Sequence, residues 1–231
     1  MLYSEENVRA NIRNRDGKRV FFLGKGDTLT PSARDWLSRE RIQVLTSDAA
    51  KQDEFRLENG GIFRSKPEHY THLRGNILVS KTHPVIAFRG AMDTLQAELL
   101  LAQLAAPEGI RKDLGEILDL ARKILSWEVM EEPAQVDTLC GLSQEEQRRH
   151  SHFPQEYYGQ PHFMPAYTDG QALLQLNRAR CAARCAELAA ARAFTDSRGN
   201  CTQEDILRAL NRMSSMLYIL MIRLKAGKKE A

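Results

Sequence analysis

From residue 84 to residue 224, apolar side chains recur every three or four positions, which is the period of one face of an α-helix. Besides four long helical segments, a shorter helix is predicted to begin at Ser143, because Ser143 and Glu146 have the spacing of a capping box. Helices that each carry one apolar seam bury it by packing side by side, so the pattern predicts an up-down antiparallel bundle of four to five helices. The four long seams lie within residues 85–102, 110–125, 172–193 and 206–224.

The first 60 residues have a different pattern. The short apolar runs 19–23 and 42–45 predict strands, and Thr30 followed by Pro31 has the form of a helix start. A further helix is predicted over 4–14, and the polar stretch 46–70 with its glycines predicts a loop. The chain is therefore expected to be mainly α, with a small mixed α/β unit at 1–60, a linker at 61–80 and the bundle at 81–231.

Composition narrows the class of protein further. The chain has 231 residues, 42% of them hydrophobic and 27% charged, which is an ordinary balance for a folded domain. A net charge of +3 does not indicate nucleic acid as a partner. The first residues lack the pattern of a signal peptide, no run is long enough for a membrane span, and the four cysteines form no CxxC pair. A cytoplasmic protein is expected.

Polar residues stand directly beside the apolar seams. Asp93 follows Met92, so it is expected at the edge of the buried face, where a carboxylate needs a partner. Arg180, Arg184 and Glu187 form a stripe at i, i+4 and i+7, and Asn211 and Arg212 follow a seam residue on the last helix. Such a stripe is either a solvated helix face with i,i+4 pairs or an anion pocket between helices.

The connection over 147–168 contains three prolines and is expected to be a long loop. It carries His152 and Phe153 and then His162 and Phe163, together with two tyrosines. These imidazole and aromatic side chains either pack against the bundle or line a binding surface.

Four ordered blocks of the sequence resemble the cobalamin adenosyltransferases of the propanediol-utilisation class, and most closely the ethanolamine-utilisation type. The last helix carries L-N-R-M-S at 210–214, similar to the family's L-N-R-L-S, and residues 180–187 match its R-x-x-x-R-x-x-E. Residues 81–93 look like its K-x-x-P…G-x-x-D helix start. The remaining similarity lies in residues 30–44, which are typical of the ethanolamine type, and in the segments 141–143, 151–154 and 162–165.

The resemblance implies transfer of the 5′-deoxyadenosyl group of ATP to the cobalt(I) of cobalamin, in a homo-oligomer that is commonly a trimer. Arg180 would pair with Asp93 of a neighbouring chain, and Arg184 and Lys81 would hold the triphosphate. The expected contacts with ATP and magnesium are Lys81, Arg184, Glu187, Asn211 and Arg212, with Glu187 and Asn211 nearest the metal. The residues expected against the corrin are His152, Phe153, His162 and Phe163. A corrinoid reductase and a microcompartment shell are the implied protein partners.

Two departures from the family pattern qualify this expectation. The Gly-rich nucleotide loop of the family is replaced here by residues 71–76, within the stretch 61–80 where the nucleotide-site loop is expected. The cysteines of the ethanolamine type's metal motif are missing from residues 50–70, so no transition metal is implied. A non-catalytic corrinoid or nucleotide binder and a purely structural bundle are the alternatives. The N-terminal apolar face with Val8 and Ile12 either packs on its own unit or acts as a cargo tag.

Overall fold

The computed structural model describes residues 2–15, 17–24, 26–46, 55–63 and 65–227, so the predicted loop over 46–70 lies partly outside the described residues. The chain divides into two units, Met1–His83 and Pro84–Ala231. The stretch 61–80 was predicted to be a linker, whereas the structure places it inside the first unit.

The first unit contains a three-stranded sheet in the order β2-β3-β5, in which β5 runs parallel to β3. Thr30 caps the second helix and Pro31 stands at its first turn, as predicted. The core is built from Val8, Phe21 and Trp36 with their neighbours. The elements are β1 (Leu2–Tyr3), α1 (Glu5–Arg9), β2 (Arg13–Arg15), β3 (Lys18–Leu23), β4 (Thr28–Leu29), α2 (Pro31–Arg39) and β5 (Gln43–Thr46).

Helix α1 is shorter than the predicted 4–14. Residues 13–15 leave the helix because they pair with β3 as an antiparallel strand, and Gly17 supplies a positive φ of 74° in the turn between them. Val8 is fully buried and Ile12 packs against the same core. The apolar face of α1 therefore packs on its own unit, and a microcompartment partner stays a prediction.

A second sheet occupies much of the predicted linker. Its strands β6 (Phe55–Leu57), β7 (Ile62–Phe63), β8 (Tyr70–Arg74) and β9 (Ile77–Ser80) have the order β7-β6-β9-β8. The prediction of a loop was wrong here because these strands are short and only Leu73, Leu78 and Val79 are buried, which leaves little apolar pattern to detect. Residues 71–76 form most of the β8–β9 hairpin, and Gly75 at its tip has a positive φ.

The second unit confirms the predicted bundle. Four long helices form it: α3 (Pro84–Ala105), α4 (Glu108–Met130), α7 (Gln171–Phe194) and α8 (Glu204–Gly227). Phe88 packs edge-to-face with Phe194, while Glu98 further along α3 pairs with Arg178, so α3 and α7 run antiparallel. Most residues of the predicted seams are buried, and the small alanines of α7 allow the neighbouring helices to approach closely.

The connection between α4 and α7 is more regular than predicted. It contains β10 (Thr138–Leu139), β11 (Leu142–Ser143), α5 (Gln144–His152), α6 (Pro154–Tyr158) and a 3-10 turn at Tyr167–Asp169. The capping box of Ser143 and Glu146 starts α5, and Pro154 starts α6. Prolines at helix starts are compatible with helix, which is why counting them as loop signals failed for 147–158. In the described part of the chain, no helix is both long and apolar enough to cross a membrane.

Candidate functional site

Three of the predicted polar residues form one hydrogen-bonded chain between α7 and α8. The Nδ2 atom of Asn211 donates to Oε1 of Glu187 at 3.0 Å, and Nη2 of Arg212 donates to Oδ1 of Asn211. Because a guanidinium only donates and a carboxylate only accepts, these two neighbours fix the orientation of the amide. Arg212 also reaches the backbone oxygen of Gln144 on α5, with an N–O distance of 3.5 Å.

These three hydrogen-bonded side chains line an open cleft of about 520 Å³ within the second unit. The polar residues that line it include Gln144, Arg148, Glu187, Arg208, Asn211 and Arg212. Arg148 and Arg208 were missed by the sequence reasoning. Arg208 is four residues before Arg212, and Arg148 is four residues after Gln144, so helical spacing alone could have placed each beside a lining residue.

Electrostatics in the cleft favour an anion. Burial lowers the pKa of Arg212, the positive charge of Arg148 lowers it further, and the carboxylate of Glu187 raises it. A guanidinium stays charged in proteins despite such a shift. The cleft therefore holds the half-buried positive charge of Arg212 next to the positive charge of Arg148.

Asp93, Arg180 and Arg184 are not brought together within one chain. Arg180 donates from Nε and Nη2 to Oδ1 of Asn177, at 3.2 and 3.0 Å. Asp93 was expected at the edge of the buried face, but the structure leaves it exposed because it lies one position beyond the contact between α3 and its neighbours. Among the described residues, neither Asp93 nor Arg184 has a hydrogen bond or an ion pair.

Lys81 follows β9 in the first unit. Its Nζ atom lies 3.0 Å from Oε1 of Glu68, and both side chains are well exposed. This hydrogen bond lowers the pKa of the Glu68 carboxyl group. An exposed pair of this kind is weak, so Lys81 can exchange it for another anion.

The four residues predicted against a corrin are all in the second unit, and they are linked to one another directly or through Tyr218. Nε2 of His162 lies 3.1 Å from the backbone oxygen of His152, and Nδ1 lies 2.9 Å from the hydroxyl of Tyr218. A carbonyl only accepts, so Nε2 donates and, in the neutral ring, Nδ1 accepts from Tyr218. The His162 and Tyr218 rings are parallel within 7°, and Phe163 stacks on the same tyrosine with a centroid distance of 6.3 Å.

The surface around this cluster is apolar and exposed. Phe153 is 54% exposed, Met164 88% and Tyr167 87%. Lys225 lies 4.4 Å from the centroid of the Phe163 ring and 2.7 Å from the carboxylate of Asp169, which fixes the far side of the cluster. Large exposed apolar side chains beside a held aromatic ring suit a broad, flat ligand.

Helix α8 contributes residues to both groups. Tyr218 is seven residues after Asn211 on α8, which corresponds to about 10 Å along the helix axis. The polar cleft and the aromatic cluster are thus neighbouring sites on α8, a relationship that the seam pattern did not predict.

Residues 62–224 match the sequence profile of the family described as Cobalamin adenosyltransferase. The corrinoid adenosyltransferase EutT of Salmonella typhimurium is 28% identical over 243 residues, which cover 95% of this chain and 90% of that protein. The corrinoid adenosyltransferase EutT of Escherichia coli is 32% identical over 242 residues, with the same coverage.

Two solved structures were found to match most of this chain's length. A variant PduO-type ATP:corrinoid adenosyltransferase from Lactobacillus reuteri, complexed with ATP, has a TM-score of 0.49 at 19% identity and covers 71% of this chain and 92% of its own. Another variant from that organism, complexed with cobalamin and ATP, has a TM-score of 0.46 at 17% identity and covers 80% and 94%.

Proposed function

The chain belongs to the cobalamin adenosyltransferase family, and we propose that it transfers the 5′-deoxyadenosyl group of ATP to the cobalt(I) of cobalamin. The products are adenosylcobalamin and triphosphate. The observation that carries this proposal is that one helix, α8, supplies Asn211 and Arg212 to the polar cleft and Tyr218 to the aromatic cluster. Service to ethanolamine utilisation is supported by the EutT relatives and by the blocks typical of that type.

In this reaction the protein has to position the two substrates and stabilise negative charge, and it does not need a general base. The cobalt(I) atom of the substrate attacks C5′ of ATP, the C5′–O bond breaks, and triphosphate leaves with the bonding electron pair. No proton is removed from the nucleophile, so no general base is needed. Fixed positive groups that meet the charge of the leaving triphosphate lower the barrier. We assign this task to Arg184 and to Arg212 in the cleft, and the triphosphate contact implied for Lys81 by the resemblance stays a prediction.

Magnesium fits Glu187 better than Asn211. One oxygen of the Glu187 carboxylate accepts from Asn211, which leaves the other for a metal carried by ATP. The oxygen of Asn211 already accepts from Arg212, so this amide positions Glu187 instead of binding the metal. Magnesium uses one or two carboxylates together with phosphates and water, and no group of three acidic, histidine or cysteine ligands exists among the described residues. When bound, magnesium would neutralise charge on the triphosphate.

The aromatic cluster is proposed to face the lower side of the corrin. Both ring nitrogens of His162 are engaged in hydrogen bonds, so in this arrangement neither is available as a cobalt ligand. His162 and Phe163 instead present bulk, and exposed Phe153 with His152 extends the surface. Bulk at this position would displace the lower axial ligand and make reduction of cobalt(II) easier.

We propose a homo-oligomer, with the trimer taken from the resemblance. Leu100 and Leu104 lie seven and eleven residues after Asp93, on the same face of α3, and are 49% and 79% exposed. On α7, Leu188 is 61% exposed and stands one turn after Arg184. These exposed leucines lie near Asp93 and Arg184, which have no partner among the described residues, and they suit an interface between chains. In it, a neighbouring chain's Arg180 would exchange its bonds to Asn177 for Asp93. A cytoplasmic location and a corrinoid reductase stay predictions.

An anaerobic assay tests the activity. The full chain is mixed with reduced cobalamin, ATP and Mg²⁺, and the visible spectrum is followed for adenosylcobalamin. Arg184→Ala is expected to lower kcat/KM by about 100-fold or more. Arg192→Ala, an exposed arginine two turns further along α7, is the matched control and should retain activity.

A non-catalytic binder of corrinoid or nucleotide is the alternative, favoured by the hairpin that stands in place of the Gly-rich loop. Binding of cobalamin and ATP without any formation of adenosylcobalamin would establish this alternative. Full activity of Arg184→Ala would instead show that the triphosphate is held elsewhere.

A further inference from the structure

Three guanidinium groups converge on the cleft from two helices. Arg148 comes from α5, and Arg208 and Arg212 come from consecutive turns of α8. Arg212 is held half-buried by its bonds to Asn211 and to the backbone of Gln144, so it cannot swing away from the other two. The fold therefore holds the charge of Arg212 in place, while the exposed Arg148 and Arg208 extend from neighbouring positions on α5 and α8.

Each carboxylate that lines the cleft has one oxygen engaged by another side chain. Glu145 pairs with Arg149 at 2.6 Å, and one oxygen of Glu187 accepts from Asn211. Among the described residues, the guanidinium groups of Arg148 and Arg208 have no hydrogen bond and no ion pair. Two of the three arginines therefore have free donors, although Arg208 also lines a neighbouring cavity with Glu204 and Asp205.

Like charges held together repel each other, and burial of Arg212 strengthens the repulsion because less water screens it. The effect is visible at Arg212, whose pKa is lowered first by burial and then by the charge of Arg148. An anion bound in the cleft would offset the repulsion between these guanidinium groups. A single small anion would meet one guanidinium, whereas three of them along two helices match an extended polyanion.

We propose that Arg148 and Arg208 join Arg212 in binding a polyphosphate chain, as the triphosphate part of ATP and as the triphosphate product. Planar guanidinium groups form paired hydrogen bonds with phosphate oxygens, and a chain of three phosphates offers enough oxygens for three such groups. Glu187 lines the same cleft and would repel a phosphate without a metal, so the polyphosphate binds together with Mg²⁺. The site rests on the proposed function and extends the triphosphate contacts beyond Arg184 and Lys81.

Calorimetric titration of the full chain with inorganic tripolyphosphate, in the presence of Mg²⁺, tests the site. Arg148→Ala and Arg208→Ala are each expected to weaken binding roughly tenfold, the usual effect of losing a charge-assisted hydrogen bond. Arg122→Ala removes the same charge from an exposed position on α4 that does not line the cleft, and should bind as the unchanged chain does. Arg148→Gln and Arg208→Gln keep most of the side-chain length and repeat the test if an alanine variant fails to fold.

Binding of tripolyphosphate that is lost in the Arg148 and Arg208 variants and kept in Arg122→Ala supports the site. No binding by the unchanged chain, equal affinity in all variants, or an equal loss in Arg122→Ala would overturn it. Adenosylcobalamin formation, measured separately, distinguishes this inference from the proposed function. If the protein has no transferase activity but binds tripolyphosphate through both arginines, the binding site is supported and the proposed function is wrong.

Discussion

The hydroxyl group of Tyr218 lies 2.9 Å from Nδ1 of His162, although 56 residues separate the two in the chain. The other ring nitrogen of His162 binds the backbone oxygen of His152. Together these bonds tie the end of α5 and the segment before α7 to the second half of α8. The proposed corrin surface is therefore held by a rigid helix rather than by its own loop.

Tyr218→Phe should reduce turnover by up to about tenfold, because one hydrogen bond that orients His162 is lost while the ring stack remains. The visible spectrum of bound cobalt(II) cobalamin is the sharper measurement, since it reports whether the lower axial ligand is displaced. Tyr157→Phe is the control, because in the described residues the hydroxyl of that exposed tyrosine has no hydrogen bond. An unchanged spectrum in Tyr218→Phe would show that Tyr218 does not position this surface.

Leu104→Glu should shift the protein from an oligomer toward single chains, because it places a charge on the exposed apolar face of α3. Light scattering coupled to size-exclusion chromatography measures the mass. Val129→Glu changes another exposed apolar residue, on α4, and should leave the mass unchanged. A mass that falls for Val129→Glu and not for Leu104→Glu would place the interface on a different face.

Arg89→Ala should lower the free energy of unfolding by about 3 kcal/mol, since it leaves the carboxylate of Glu128 buried without its partner. Arg89 donates to both oxygens of Glu128, at 2.7 and 3.0 Å, and the Glu128 side chain is only 6% exposed. Urea denaturation followed by circular dichroism measures the loss. Arg122→Ala breaks an exposed pair with Asp119 and should cost less than about 1 kcal/mol. Similar losses in the two variants would contradict a special role for the buried pair.

Cys140 should resist alkylation in the folded protein. Burial raises the pKa of its thiol, and the carboxylates of Asp113 and Glu116 raise it further, so the reactive thiolate is scarce at neutral and mildly alkaline pH. Iodoacetamide labelling followed by peptide mass spectrometry measures this, with the urea-unfolded chain as the reference that labels fully. Labelling of Cys140 at the same rate in both states would mean that the thiol is accessible and unperturbed.

Much of the second unit was predictable because its signals are local. The seam residue Leu210 is buried as its spacing requires, and Ser143 caps α5 as the capping box indicates. The second sheet of the first unit was not predictable, since strands such as β7 are two residues long and are stabilised by pairing with distant strands. The exposure of Asp93 was also missed, because one position on a helix separates a buried residue from a solvated one.

By itself, the sequence determined the helices of the bundle, their buried faces, and the presence of Asn211 and Arg212 beside a seam, since these depend on spacing within one helix. Only the tertiary structure decided what those residues meet. Glu187 is 24 residues from Asn211 in the chain, and Gln144 is 68 residues from Arg212. The packing of α5, α7 and α8 brings them together, because side-chain contacts across helices depend on how the helices pack and not on the period of any one of them.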